Sequence, residues 1–195
     1  MSILIWNIQG IAATRSAHNL KNLCSTKKTG VLILVEPQVS GEKADGVSMT
    51  LGFECLVRVE AVGRSGGIEL FWNSTFGSIS VLKTHSQFIH CKVIRNRVSW
   101  LYTANYGSPN EYYRKFLFSD LSSLARHIHS PRGSRARFQL FRSSGGYNRV
   151  GPHVISHCNQ FWNWLNDLQL ADLGFIGAKF TWWKGDLLLV FVQPV

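Results

Sequence analysis

The sequence predicts one mixed α/β domain. Three observations carry this: a strand–helix–strand order in residues 1–36, a succession of apolar strand-like runs over residues 53–106, and two amphipathic helical stretches after them. A chain of 195 residues suffices for one such domain with a substantial core, or for a domain plus an appendage. Its 45% hydrophobic and 12% aromatic content excludes a chain disordered throughout, which would lack residues to bury.

The opening run Ile3-Leu4-Ile5-Trp6 reads as a buried strand that ends at Asn7-Ile8-Gln9-Gly10, where turn-compatible residues take over. Ala17, Leu20, Leu23 and Cys24 then recur at helical spacing between Ser16, a candidate cap, and Gly30, a candidate stop. Val31 to Val35 forms a second buried strand. Its outlet is Glu36, followed by Pro37, which cannot donate to a ladder. Residues 1–36 therefore form a βαβ-like unit with Asn7 and Glu36 at the C-terminal ends of its strands, where open α/β sheets place ligands.

Five strand-like stretches follow: Phe53 to Val59, Gly67 to Trp72, Ile79 to Leu82, Phe88 to Ile94 and Val98 to Tyr106. Several alternate apolar with polar residues between turn formers, and their succession without helices predicts hairpins. Tyr112 to His129 returns to helical spacing, with Phe116, Leu117, Leu121, Leu124 and Ile128 on a roughly continuous face. His157 to Leu170 is a second such helix, striped by Phe161, Trp164, Leu165 and Leu168. Residues 130–148 break the pattern: four arginines (Arg132, Arg135, Arg137, Arg142) and no acid, which read alone is a solvated basic loop or a nucleic-acid contact.

Lysine and arginine outnumber aspartate and glutamate 21 to 11, and the net charge of +10 favours polyanionic partners. Cys24, Cys55, Cys91 and Cys158 are isolated, which points to reduced thiols rather than a zinc cluster or a disulfide framework. His153 and His157, with Cys158 adjacent, have no matching second pair of metal ligands. No apolar run approaches the roughly 20 residues of a membrane span, and the N-terminal residues lack the features of a signal peptide. An intracellular protein, nuclear or cytoplasmic, with no membrane association is the expectation.

Five segments in order carry a family resemblance: Trp6-Asn7-Ile8-Gln9-Gly10; Val35-Glu36-Pro37; Ser65-Gly66-Gly67-Ile68-Glu69-Leu70-Phe71-Trp72; Tyr106-Gly107-Ser108-Pro109-Asn110; and Leu170-Ala171-Asp172-Leu173-Gly174-Phe175 running into Lys179-Phe180-Thr181-Trp182. With this set the chain resembles the endonuclease/exonuclease/phosphatase superfamily, in particular the endonuclease domain of plant LINE-type non-LTR retrotransposons. The resemblance implies a four-layer α/β sandwich of the DNase I-like type over residues 1–195, incomplete at the C-terminus, that cleaves phosphodiesters with magnesium and binds DNA. It implies that Asn7 orients the phosphate, that Glu36 is the metal ligand, and that Tyr106 approaches the phosphate. Magnesium takes oxygen ligands, often only one or two of them protein carboxylates, which suits this set. Read singly, Asn7 is equally a turn former, Glu36 a strand-end carboxylate and Tyr106 a sheet aromatic. Trp182 or Trp183 is a candidate for stacking on a base.

Two family signatures are missing. Where Gly-Asp-x-Asn belongs, after the Tyr112 to His129 helix, the chain has Ser130 to Phe141. Codons permitted for Arg137 to Phe141, read one nucleotide later, are compatible with Asp-Phe-Asn-Ser, which suggests a local frameshift. The Ser-Asp-His segment is also absent, and no histidine follows His157. General acid and base groups contribute roughly 10²- to 10⁴-fold each, so little or no nuclease activity is expected. The alternatives are a non-catalytic basic module that binds nucleic acid and a remnant reading frame, in which a lost central strand would leave sheet edges unpaired.

Overall fold

Alternation along the strands builds the architecture of the computed structural model, which describes residues 2–63, 65–108 and 110–127, and beyond them 137–138, 163–164, 166–167, 182–183, 186–187 and 190–192. The chain divides into two units. One comprises Met1–Gly107, Ser130–Arg142 and Leu189–Val195, the other Ser108–His129 and Ser143–Leu188.

In the first unit, β1 (Ser2–Asn7), α1 (Thr14–Thr26) and β2 (Thr29–Val35) form the expected strand–helix–strand. The two strands pair in parallel, from Ile3 opposite Val31 to Asn7 opposite Val35. Next come α2 (Gly41–Leu51), β3 (Cys55–Val59) and β4 (Ile68–Trp72), then β5 (Ser78–His85), β6 (Phe88–Arg95) and β7 (Val98–Asn105). Beyond the second unit's helix α3 (Glu111–His127) stand β8 (Arg137–Phe138), β9 (Trp182–Trp183), β10 (Asp186–Leu187) and β11 (Val190–Val192). One sheet has the order β11-β1-β2-β4-β3; the other has the order β5-β6-β7-β8.

The period of two divides the core. Ile3, Ile5, Val31, Ile33, Val35, Ile68 and Leu70 face Ile89, Cys91, Val93, Tyr102 and Ala104 of the other sheet, so the two sheets pack face to face. The intervening residues Leu4, Leu32, Leu34 and Phe71 point to the opposite side, where Ala17, Leu20 and Cys24 of α1 and Ala44, Val47 and Leu51 of α2 cover them. Both faces of β2 are thereby buried, as its unbroken apolar run requires. Burial pushes the thiols of Cys24 and Cys91 up to about 11 and about 12, so both stay protonated and unreactive at neutral pH.

Several local expectations are corrected. Helix α1 begins at Thr14 after Ala13, which makes no side-chain cap, and it ends at Thr26; Ser16 lies inside it. Gly30 belongs to β2, where a side chain is excluded: a Cβ there would lie 2.6 Å from Phe76 Cδ2. Helix α2 was not anticipated. Its stripe is only Ala44, Val47 and Leu51, diluted by Gly46, Ser48 and Thr50, and Gly52 closes it with φ +74°. Gly46 is exposed with open space around it, so Gly46→Ala is expected to raise stability by about 0.5–1 kcal/mol in urea unfolding. At the sheet edges β8 runs parallel to β7, Tyr102 opposite Arg137, and β11 runs antiparallel to β1.

In the second unit Asn110 starts α3 by accepting the Tyr112 N–H on its Oδ1 at 2.9 Å, which satisfies one of the helix's orphan donors. Leu117 and Leu121 are buried, whereas Phe116, expected on the same face, is 50% exposed. Trp164 is buried and its Nε1 donates to Ser122 Oγ at 2.8 Å. Strands β9 and β10 pair antiparallel. Most of the basic segment 130–148, along with His153, His157 and Cys158, lies outside the described residues. No helix among the described residues is long and apolar enough to cross a membrane.

Candidate functional site

The residues singled out from sequence stand where strands of both sheets end. Asn7 closes β1 opposite Val35. Alternation from Ile3 and Ile5 directs its side chain to the space between the sheets. Its Oδ1 is buried and has no hydrogen-bond partner. A buried acceptor left open is uncommon, since desolvating it costs about 1–3 kcal/mol, and it marks a place where a ligand would be welcome.

The loops after β1 and β2 are zipped together by backbone hydrogen bonds: Ile8 N–H to Val35 O at 3.0 Å, Gly10 N–H to Glu36 O at 2.9 Å and Ile11 N–H to Pro37 O at 3.0 Å. Within these loops Gln9, Glu36 and Gln38 all have positive φ, +48°, +56° and +54°. Non-glycine residues rarely adopt this region, and such strain concentrates at sites of binding and catalysis. The half-buried Glu36 is held further by its N–H, which donates to Gly67 O at 3.1 Å.

Gly66 and Gly67 carry the contact onward to the second sheet. A Cβ on Gly67 would lie 3.0 Å from Pro37 Cγ, and one on Gly66 would lie 3.2 Å from Tyr106 Cε1. Both also have positive φ, +72° and +89°. The Gly-Gly pair therefore lets the Glu36-Pro37 loop and the Tyr106 ring approach one backbone corner. Tyr106 follows β7 and is 5% exposed; its N–H donates to Gln87 O at 2.8 Å. Asn7, Glu36 and Tyr106, 99 residues apart in sequence at the extremes, are thus gathered at one end of the paired sheets.

Asn105 was missed from sequence. It is buried on the face opposite Tyr106, and its Oδ1 also has no hydrogen-bond partner. The available signal was a polar residue directly between the apolar Ala104 and Tyr106 at a strand end. Of the Tyr106 to Asn110 motif, Ser108 and Asn110 serve the start of α3: Ser108 Oγ accepts the Asn110 N–H at 3.2 Å, and Ser108 O accepts from Arg114 Nη1 at 2.8 Å.

As a donor set the site offers one carboxylate, Glu36, and the open amide oxygen of Asn7. No group of three or more His, Cys, Asp or Glu side chains that would hold a metal occurs among the described residues. The two oxygens suit a hard cation that keeps most of its water, as magnesium does.

No protein-family model and no curated protein matches the chain. Solved structures do. The endonuclease domain of TRAS1, a telomere-specific non-LTR retrotransposon, aligns with a TM-score of 0.63 and 14% identity over 97% of this chain and 82% of that one. The AP endonuclease LMAP from Leishmania major aligns with a TM-score of 0.59 and 14% identity over 97% and 78%. Beta toxin from Staphylococcus aureus aligns with a TM-score of 0.61 and 13% identity over 93% and 76%. Two apposed sheets flanked by helices, together with these alignments, show that the chain has a DNase I-like α/β fold.

Proposed function

We propose that this chain is a nucleic-acid-binding domain related to metal-dependent phosphodiester-cleaving endonucleases, with its hydrolytic step impaired. The gathering of Asn7, Glu36 and Tyr106 at one end of the sheets, with Asn7 Oδ1 buried and open, is the observation that carries this reading. Glu36 and Asn7 would hold a magnesium ion, which when bound supplies a Lewis acid for a phosphoryl oxygen. Tyr106 presents a phenolic donor for a non-bridging phosphate oxygen, its ring fixed against Gly66. The strained loops hold Glu36 in place before any ligand arrives, so little ordering remains to be done on binding.

Neither Asn7 nor Tyr106 is a base able to take a proton from water at neutral pH. The superfamily's Asp and Asn of Gly-Asp-x-Asn have no counterpart in Ser130 to Phe141. That absence supports the impairment. The net charge of +10 supports a polyanionic partner.

Manganese, followed by electron paramagnetic resonance, tests the metal site apart from activity. Glu36→Gln is expected to weaken manganese binding about tenfold or more. Unchanged binding would remove Glu36 from the site. On supercoiled plasmid with magnesium, the full chain is expected to bind in a salt-sensitive manner and not to nick above background. Nicking that vanishes in Glu36→Gln would overturn the impairment, and failure to bind DNA would overturn the nucleic-acid reading.

A further inference from the structure

Three large aromatic side chains crowd the first turns of α3 without being buried. Tyr112 is 63% exposed, Tyr113 54% and Phe116 50%. Tyr112 and Phe116, at i and i+4, share one side of the helix. The buried Leu117 and Leu121 define a different side, so the exposed rings are not the helix's core stripe. Their mutual contacts are edge-on, with centroids 4.9 Å apart for Tyr112 and Phe116 and 5.5 Å for Tyr112 and Tyr113, both at 76°. Edge-to-face packing orders the rings while leaving ring faces that the neighbouring rings do not cover. Together they expose on the order of 300 Å² of aromatic surface, an extent that on a soluble protein usually marks a binding surface.

The chemistry along the same side says what would bind. Tyr112, Phe116, Ser119, Ser123 and Arg126 recur at helical spacing, and all five are exposed. The series spans about 21 Å at 1.5 Å per residue. It passes from aromatic rings through hydroxyls to a guanidinium. Lys115 is exposed beside the rings, and Asp120, beside the middle of the series, is half-buried. The exposed cations Lys115 and Arg126, with the chain's net charge of +10, suit a polyanion. Rings for bases, with hydroxyls and cations for the phosphates between them, are the pattern of single-strand recognition, in which every base offers a π-face whatever its sequence.

We propose that the exposed side of α3 is a stacking platform for single-stranded nucleic acid, with Tyr112 and Phe116 taking bases and Lys115 and Arg126 the backbone. It rests on the nucleic-acid reading for the class of polymer but not on the metal site. A duplex keeps its bases stacked on one another and offers the rings nothing to bind, so the platform discriminates single strands from duplexes.

Fluorescence anisotropy of a labelled single-stranded thymidine oligomer, and of a duplex of equal length, tests this on the full chain. The double variant Tyr112→Ala, Phe116→Ala is expected to lose about tenfold or more in single-strand affinity, with duplex affinity unchanged. Tyr112→Phe and Phe116→Tyr, which keep the rings, are expected to retain single-strand affinity; their failure to do so would overturn the stacking role. The double alanine variant is expected to leave manganese binding unchanged, so failure of the metal site and failure of the platform give different results. Unaltered single-strand binding in the double alanine variant, or equal loss on both nucleic acids, would overturn the platform. So would loss of a self-associated species in sedimentation with nucleic-acid binding intact, which would assign the rings to a second copy of the chain.

Discussion

Arg58→Ala is expected to destabilise the protein by about 3–5 kcal/mol at neutral pH, because it strands a carboxylate in the interior. Arg58 and Glu69 are cross-strand partners on β3 and β4. Arg58 Nε donates to Glu69 Oε1 at 2.7 Å, Nη1 to Asp45 Oδ1 at 2.7 Å and Nη2 to Ser48 Oγ at 2.7 Å. One guanidinium therefore ties α2 to the sheet. Glu69 is fully buried and its Oε2 has no hydrogen-bond partner, so Arg58 carries the compensation for its charge.

The pH dependence of that loss has a definite sign. Burial raises the Glu69 carboxyl above its ordinary 4.5, against the opposing pull of Arg58. The folded protein then holds this proton more tightly than the unfolded chain. Glu69's contribution to stability consequently declines as pH rises from 4.5 through the folded value, and is level above it. Removing Arg58 takes away the pull, raises the folded value further and extends the window upward. The deficit of Arg58→Ala should shrink as pH falls from neutral to about 5, as the carboxyl takes up its proton. Urea unfolding at both pH values reads this directly, and a deficit independent of pH would refute the stranded-charge explanation. Adding Glu69→Leu should recover much of the loss, since a buried ion pair is often replaceable by apolar residues although neither partner is separately dispensable.

Gly77→Ala is expected to cost about 3 kcal/mol or more, by strain and overlap together. Gly77 immediately precedes β5 with φ +150°, and an added Cβ would sit 2.4 Å from the backbone oxygen of Ile94. That oxygen belongs to β6, paired with β5 through Ser78 opposite Ile94, so it cannot withdraw as a side-chain tip would. The β5–β6 hairpin must open or shift. Gly63→Ala provides the comparison: Gly63 has φ +61° but open space around it, so only the backbone cost of about 1–2 kcal/mol applies. A thermal unfolding series that ranks the two variants equally would show that the overlap with Ile94 is relieved at little cost.

Most elements were legible because their signals are local. The apolar runs of β1 and β2 and the alternation over β3 to β7 identify strands by period alone, and all appear within a few residues of their expected bounds. Helix α2 escaped because it needs only three buried side chains, Ala44, Val47 and Leu51, to cover one side of a sheet. Gly46, Ser48 and Thr50 weaken its helical signal, so packing contributes more than propensity to making it helical. The caps of α1 failed for a related reason: Ser16 has the right chemistry, but the first turn had already formed on Ala13 O.

Of the site, the strand-end positions of Asn7 and Glu36 followed from the apolar runs that precede them, and the ordered motifs singled out Tyr106. Residue types and their period thus decide which segments are strands, which faces are apolar and where polar side chains emerge. They do not contain the register between distant strands. Pairing of β3 with β4 made Glu69 the buried partner of Arg58. The approach of Tyr106 to Gly66 joined the second sheet to the Asn7 and Glu36 loops. The positive φ of Glu36 reflects a loop held by backbone hydrogen bonds to Gly10 and Gly67 of neighbouring loops, not local preference. Such contacts are chosen by how whole faces fit and which backbone groups remain to be paired, and those conditions exist only once the sheets have formed.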